Sequence, residues 1–335
     1  MGDASGMVSH GYLLPTRGVV FSSQSEAELT ARAQADVVGL AERAEAAGFD
    51  GAWIGDSVLA KPRFEPLVTL AAVAAATDAM TLGTAVYLPG LRHPVHVAHQ
   101  TATLDRLAGG RLALGVGVGV RPLERAEAEN LDTPFDRRGA HLNEALDVVD
   151  RLWRGESVDH DGDFFDLDDA SIGFGPHSEI PVYVASAALD PASGFPRTVR
   201  ERITRFGGGW LPIAVSADTY AAGLDHAREA LEAADRDPTA FDPAYYQDVV
   251  IADTEAEAMA RAREFYTAYY RGDPGHDEEG SVVSDEEIRA RGAFGPPETV
   301  AAHLDRYRAA GVERFVTRFV TDDQRDQLRR FRELL

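Results

Sequence analysis

Six polar residues follow directly on short apolar runs: Arg17 after "YLLPT", Asp56, Ser57 and Lys61 after "GAWIG", His93 after "AVYLPGLR", and Arg121 after "LGVGVGV". Their chemistry divides in two. A carboxylate, a hydroxyl and an imidazole can hold or move a proton, which makes Asp56, Ser57 and His93 candidate catalytic groups. Guanidinium and ammonium groups bind anions, which makes Arg17, Lys61 and Arg121 candidate substrate-binding groups. Lys61 is the only lysine among 33 basic residues, so its retention points to pairing with a substrate or cofactor anion, with chance as the alternative. For Arg17 and Arg121 the alternative is a surface ion pair, and for Asp56 a helix cap.

His93, His96 and His99 recur at i, i+3 and i+6, but no carboxylate stands at a zinc spacing, so no metal site is expected. Neither a GxSxG elbow nor a phosphate-binding P-loop occurs. The glycines of "LGVGVG", Gly115, Gly117 and Gly119, invite a dinucleotide-binding reading. That fingerprint belongs on the first strand of its unit, whereas this cluster sits on the fourth. Either the glycines relieve crowding in a strand, or their missing side chains let a flat ring approach the backbone.

The elements that must position these groups are legible as an alternation of apolar strand-like runs and amphipathic helical stretches. Eight runs read as strands: "HGYLLP", "GAWIG", "MTLGTAVYL", "RLALGVGVG", "IPVYVAS", "GGWLPIAV", "AYYQDVVIA" and "VERFVTRFV". A helical stretch follows each, the first capped by Ser25 and ended by Gly48. Eight such units without a dividing linker predict an α/β protein, a (β/α)8 TIM barrel forming one domain over residues 1–335. Two stretches, near 157–178 and 272–286, read as insertions in the βα loops, where they would form part of the mouth. The six polar residues then lie beyond the C-terminal ends of strands, the end at which barrels carry their chemistry.

Composition narrows the partners. The chain has no cysteine, which excludes disulfides, thiolate nucleophiles and iron–sulfur clusters. Its net charge of -22 comes from 55 acidic residues spread along its length, which speaks against nucleic acid and anionic membranes as partners. Dispersed acid, with arginine replacing nearly all lysine, points to adaptation to molar salt, as in a halophilic archaeon. A GC-rich bacterial gene is the alternative, and it accounts for the arginine better than for the charge. No apolar run of 18 residues and no signal-like N-terminus is present, so a soluble cytoplasmic protein is expected.

Several segments together resemble the bacterial luciferase-like monooxygenase superfamily, which also contains oxidoreductases dependent on the deazaflavin coenzyme F420. These are "AERAEAAGFDGAWIGDSVL", the stretch from "PLVTLAAVAAATDAMTLGTAVYLPG" to "RLALGVGVG", the "RRGAHLNEALDVVDRLWRG" helix, "GGWLP" and "FGPPETVAAHLDRYRAAGVERFV". The resemblance implies a TIM barrel whose mouth holds F420 or, alternatively, FMN. It further implies a bulge with a non-prolyl cis peptide at Ala85 and Val86, backing the cofactor ring. Asp56 matches an acidic position near that ring. Gly117, Val118 and Gly119 match the turn where the fourth strand passes the cofactor, and Ala185, Ser186 and Ala187 match a backbone phosphate cradle.

The departures are informative. F420-dependent sugar-phosphate dehydrogenases of this superfamily carry His and Glu where this chain has Ser57 and Val120, so their acid–base pair is missing. Pterin reductases carry an acidic residue on the first strand, where this chain has Tyr12, Leu13 and Leu14. The resemblance therefore implies hydride transfer between F420 and an unidentified small molecule. The other readings are an FMN-dependent monooxygenase using O2, or a cofactor-free binding or assembly subunit. A homodimer through early helices is implied too, with the helix from Pro66 to Thr77 as the contact.

Overall fold

The computed structural model describes residues 8–119, 122–270 and 283–335. Eleven strands occur among them: β1 (Ser9–Leu13), β2 (Gly51–Ile54), β3 (Thr81–Tyr87), β4 (Leu112–Val116), β5 (Val158–Asp161), β6 (Asp166–Ala170), β7 (Val182–Val184), β8 (Gly207–Trp210), β9 (Asp242–Ile251), β10 (Gly292–Gly295) and β11 (Arg314–Phe319). Eight of them pair in parallel in the cyclic order β1-β2-β3-β4-β7-β8-β9-β11, and β11 returns to β1. The ring closes where Gly209 and Trp210 meet Asp242 and Pro243. This is the expected (β/α)8 barrel, and its eight strands are the eight apolar runs.

Local sequence explains the helices around the ring. Ser25 caps the first long helical stretch by accepting from Glu28 N–H, and Gly48 ends it at φ 97°, a left-handed conformation that favours glycine. Glu65 caps the Pro66–Ala76 helix, with proline at its first position. Inside the barrel, alternate strand residues Leu13, Trp53, Ala85, Ala113, Tyr183, Leu211, Ala244 and Val316 form one apolar cluster. Trp53 is fully buried there, over Gly11, Gly51 and Gly83, where any Cβ would overlap the indole. A larger core lies between strands and helices.

Three features depart from the sequence expectation. The 157–178 insertion forms an antiparallel hairpin of β5 and β6, and it joins the Arg138–Trp153 helix to β7. It is therefore an αβ connection rather than a βα loop, because it follows a helix and precedes a strand. Short β10 pairs only with β9; its four residues, "GAFG", are half glycine and carry little periodic signal. Within 272–286, residues up to 282 lie outside the described residues, while Ser284 begins the Asp285–Arg289 helix with a capping box. Among the described residues no helix is long and apolar enough to cross a membrane.

Candidate active site

The C-terminal ends of four neighbouring strands carry almost no side chain. β2 runs out on Gly55, β3 holds Ala85, β4 ends beside Gly115 and Gly117, and β7 runs out on Ala185. Between Thr84 and Tyr87 the register of β3 against β4 shifts, and the Ala85–Val86 peptide in this bulge is cis. Neighbouring glycines fit the bulge closely. A Cβ on Gly115 would overlap the Thr84 carbonyl oxygen, and one on Gly117 would come within 2.7 Å of Val86 Cγ2. Relief of crowding thus explains Gly115 and Gly117 directly.

Asp56 holds both sides of this bulge. Its backbone N–H donates to Val86 O at 3.0 Å, and its Oδ2 accepts from Leu88 N–H at 3.0 Å. Arg92 completes the arrangement with two bonds to the carboxylate, Nη1 to Oδ2 at 2.6 Å and Nη2 to Oδ1 at 3.1 Å. Burial opposes the Arg92 charge, but Asp56 outweighs it and holds the guanidinium above its usual range. Both carboxylate oxygens are thus occupied. In this structure Asp56 orders the backbone behind the strand tips.

Ser57 begins a tight loop organised by Glu127 of the Pro122–Asn130 helix. Ser57 Oγ accepts from Lys61 N–H at 2.8 Å and donates to Glu127 Oε1 at 3.3 Å. The same oxygen accepts from the N–H groups of Leu59 and Ala60 at 2.6 and 3.1 Å. Glu127 is 1% exposed, and its Oε2 has no hydrogen-bond partner among the described residues. Glu127 lines a small crevice together with Leu88, Gly117, Val118, Gly119 and His141. His141 Nδ1 is likewise buried without a partner among the described residues, and burial lowers the His141 pKa.

Cations and tyrosines gather over the mouth. The Glu255–Tyr270 helix brings Tyr269 against three of them: Arg17 at 3.8 Å, Lys61 at 4.5 Å and Arg318 at 5.1 Å from the ring centre. Arg17 also donates to the Tyr269 carbonyl, and Lys61 lies 4.7 Å from the Tyr270 ring. Such contacts suit desolvated cations. Arg318 grips Asp248 in a two-bond pair, at 2.7 and 2.6 Å, and Tyr266 donates to the same carboxylate. Arg63, two residues beyond Lys61, lays its Nη1 against Gly55.

The sequence-derived residues thus fall into groups. Arg17 and Lys61 meet at the mouth, and Asp56, Ala85, Val86 and Gly117 meet at the bulge. Ala185 donates its N–H to Val116 O at 3.0 Å, Ser186 Oγ accepts from Ala188 N–H at 3.1 Å, and Trp210 Nε1 donates to Ser186 O at 2.9 Å. This fixes the loop Ala185, Ser186, Ala187 next to β4. His93 stands apart: it is exposed, caps the Pro94–Leu107 helix through Nδ1, and packs on Phe165 of the hairpin. Arg121, like Val120, lies outside the described residues. Sequence reasoning missed Arg63, Arg92, Glu127, Asp248 and Arg318. Arg63, Arg92 and Glu127 sit in loops or a helix with nothing to single them out, whereas Asp248 and Arg318 each interrupt an apolar strand and were usable signals.

Comparison with known proteins follows this geometry. The pattern of the luciferase-like monooxygenase family matches residues 11–314. An F420-dependent glucose-6-phosphate dehydrogenase of Amycolatopsis mediterranei is 35% identical over 158 residues, covering 45% of this chain and 47% of that protein. An F420-dependent hydroxymycolic acid dehydrogenase of Mycobacterium tuberculosis is 32% identical over 231 residues, covering 67% of this chain and 61% of that protein. The matched segments thus span about half to three fifths of these relatives. The solved structure of an F420-dependent secondary alcohol dehydrogenase with an F420-acetone adduct superposes with a TM-score of 0.79 at 20% identity, covering 98% of both chains. With the family pattern spanning nearly the whole barrel, this chain belongs to the luciferase-like monooxygenase family.

Proposed function

We propose that this chain is a coenzyme F420-dependent oxidoreductase that moves a hydride between the deazaflavin and a small molecule held in the barrel mouth. The observation that carries it is the run of small residues at the strand tips Gly55, Ala85, Gly117 and Ala185, which presents backbone rather than bulky side chains at the mouth. F420-dependent enzymes among its relatives support the choice of cofactor. When bound, F420 supplies a two-electron hydride donor or acceptor. Ala85, Val86, Gly117, Val118 and Gly119 would back the ring, and Ala185, Ser186 and Ala187 would take the phosphate on backbone N–H groups.

The chain's own residues have separable roles. Asp56 and Arg92 hold the bulge in place, and Glu127 fixes the loop that carries Lys61 and Arg63. Arg17 and Lys61 bind the substrate. Ser57 stands next to Glu127, whose Oε2 is the one buried carboxylate oxygen at this rim without a hydrogen-bond partner among the described residues, so this pair is placed to hold a proton.

Absorbance and fluorescence titration of the purified chain tests the reading. Binding of F420 supports it, whereas tight FMN binding with no detectable F420 binding overturns it. The FMN-dependent monooxygenase is the second reading, favoured by the family pattern itself. The small residues at the strand tips disfavour a cofactor-free assembly subunit. Two further proposals accompany the enzyme. The acidic, cysteine-free chain works in a cytoplasm of high salt, so its stability should fall when potassium chloride is removed. It also forms a homodimer through the Pro66–Ala76 helix, whose Val68 is 71% exposed; sedimentation showing only monomer at micromolar concentration and high salt would refute that.

A further inference from the structure

One cation at the mouth has no counterpart. Among the described residues Arg63 makes no hydrogen bond and no ion pair, and its Nε is buried without a partner. Its Nη1 covers the space in front of Gly55 so closely that a Cβ there would overlap it, and the same space lies 3.5 Å from Ala85 O. The guanidinium therefore rests on the strand tips beside the bulge. Its charge also reaches the Tyr246 phenol, as does that of Arg318. Arg318 differs in being satisfied by Asp248, and Arg92 in being satisfied by Asp56.

The half-buried guanidinium has lost hydration at Nε without gaining an acceptor, which disfavours it until one is supplied. Its planar set of donors matches the oxygens of a carboxylate or phosphate, or a ring oxygen that carries negative charge. We propose that Arg63 receives an anionic oxygen of the molecule bound in the mouth. The location against Gly55 and Ala85 makes this a recognition contact of the reacting site, distinct from Arg17 and Lys61 on Tyr269. The inference rests on the proposed hydride-transfer site only for the identity of the bound molecule. That oxygen belongs either to the substrate or to the deazaflavin ring, and the test separates the two.

The experiment compares the whole chain with its Arg63→Gln variant at constant ionic strength. Acetate, its neutral isostere acetamide, and F420 are titrated separately by calorimetry. No hydrogen bond is lost in the variant, so its melting temperature should match the parent. Arg63→Lys, which keeps the charge but loses the planar set of donors, provides a second variant. The expected result is that acetate binds the parent and acetamide does not. Both variants should weaken either acetate or F420 by roughly tenfold or more, as befits a charge-assisted hydrogen bond. Weakened acetate assigns the oxygen to the substrate; weakened F420 assigns it to the ring. Unchanged affinity for both overturns the proposal. If the parent binds acetate through Arg63 yet binds no F420, the cofactor reading fails and this one stands.

Discussion

Two Arg–Asp–Tyr trios sit at opposite ends of the same pair of strands, and they do different work. At the base, Arg314 of β11 donates to Asp242 of β9 at 2.8 Å, and Tyr183 donates to the same carboxylate at 2.6 Å. At the mouth, Arg318 and Tyr266 grip Asp248 in the same manner. The base trio lies under the Trp53 plug, with Asp242 27% exposed, whereas Asp248 is 0% exposed. Water can therefore stand in for a lost partner at the base but not at the mouth. The base pair stays within reach of water, while the mouth keeps its charge pair buried.

The largest expected effect follows from breaking the two trios in turn. Asp248→Ala strands a buried Arg318 and should cost about 3–5 kcal/mol, against about 1–2 kcal/mol for Asp242→Ala. Urea unfolding of both variants measures the gap, and equal losses would remove the distinction drawn between the two ends.

Acid should act next. Burial lowers the His10 pKa to about 4 with Arg308 assisting, and burial lowers His303 to about 4 with Arg306 assisting. Both stay neutral when folded but take up protons near 6.5 when unfolded, so stability falls as pH drops from 6.5 towards 4. The slope should approach about 1.4 kcal/mol per pH unit for each histidine. Unfolding at pH 7 and pH 5 checks it, and a His303→Gln variant should show a shallower fall.

At the bulge, Asp56→Asn exchanges a charged clamp for a neutral one and should lose about 1–3 kcal/mol. F420 affinity should fall with it, since the strand tips lose their support. A variant that is less stable but binds F420 as before would make Asp56 purely structural. The smallest effect is expected away from the mouth. His93→Ala removes only an exposed helix cap and should cost about 0.5 kcal/mol, with turnover unchanged. A large loss of turnover would restore His93 as a catalytic group.

Local pattern made much of this molecule legible. Alternating apolar runs and amphipathic stretches, and Ser25 and Gly48 at helix ends, report interactions within a few residues, whereas the bulge at Ala85 and Val86 was implied only by the family resemblance. The hairpin in 157–178 was visible as an interruption, but its place was misread, because the composition of an insertion does not say whether it follows a strand or a helix. His93 was misplaced for a related reason: position after a strand puts a residue near the mouth, and its rotamer and cap geometry then decide where the ring points.

The sequence by itself determined the order of the β/α units, the small residues at the strand tips, and the acidic, cysteine-free surface, since each is a property of composition or short-range spacing. Only the tertiary structure decided which charges are satisfied. Asp56 finds Arg92 across 36 positions, Asp248 finds Arg318 across 70, and Tyr269 reaches Arg17 across 252. Closing the barrel brings such residues together, and no local period encodes a partner that distant. The same closure leaves Arg63 beside Gly55 without an acceptor among the described residues, which nothing in "LAKPRFEP" announces.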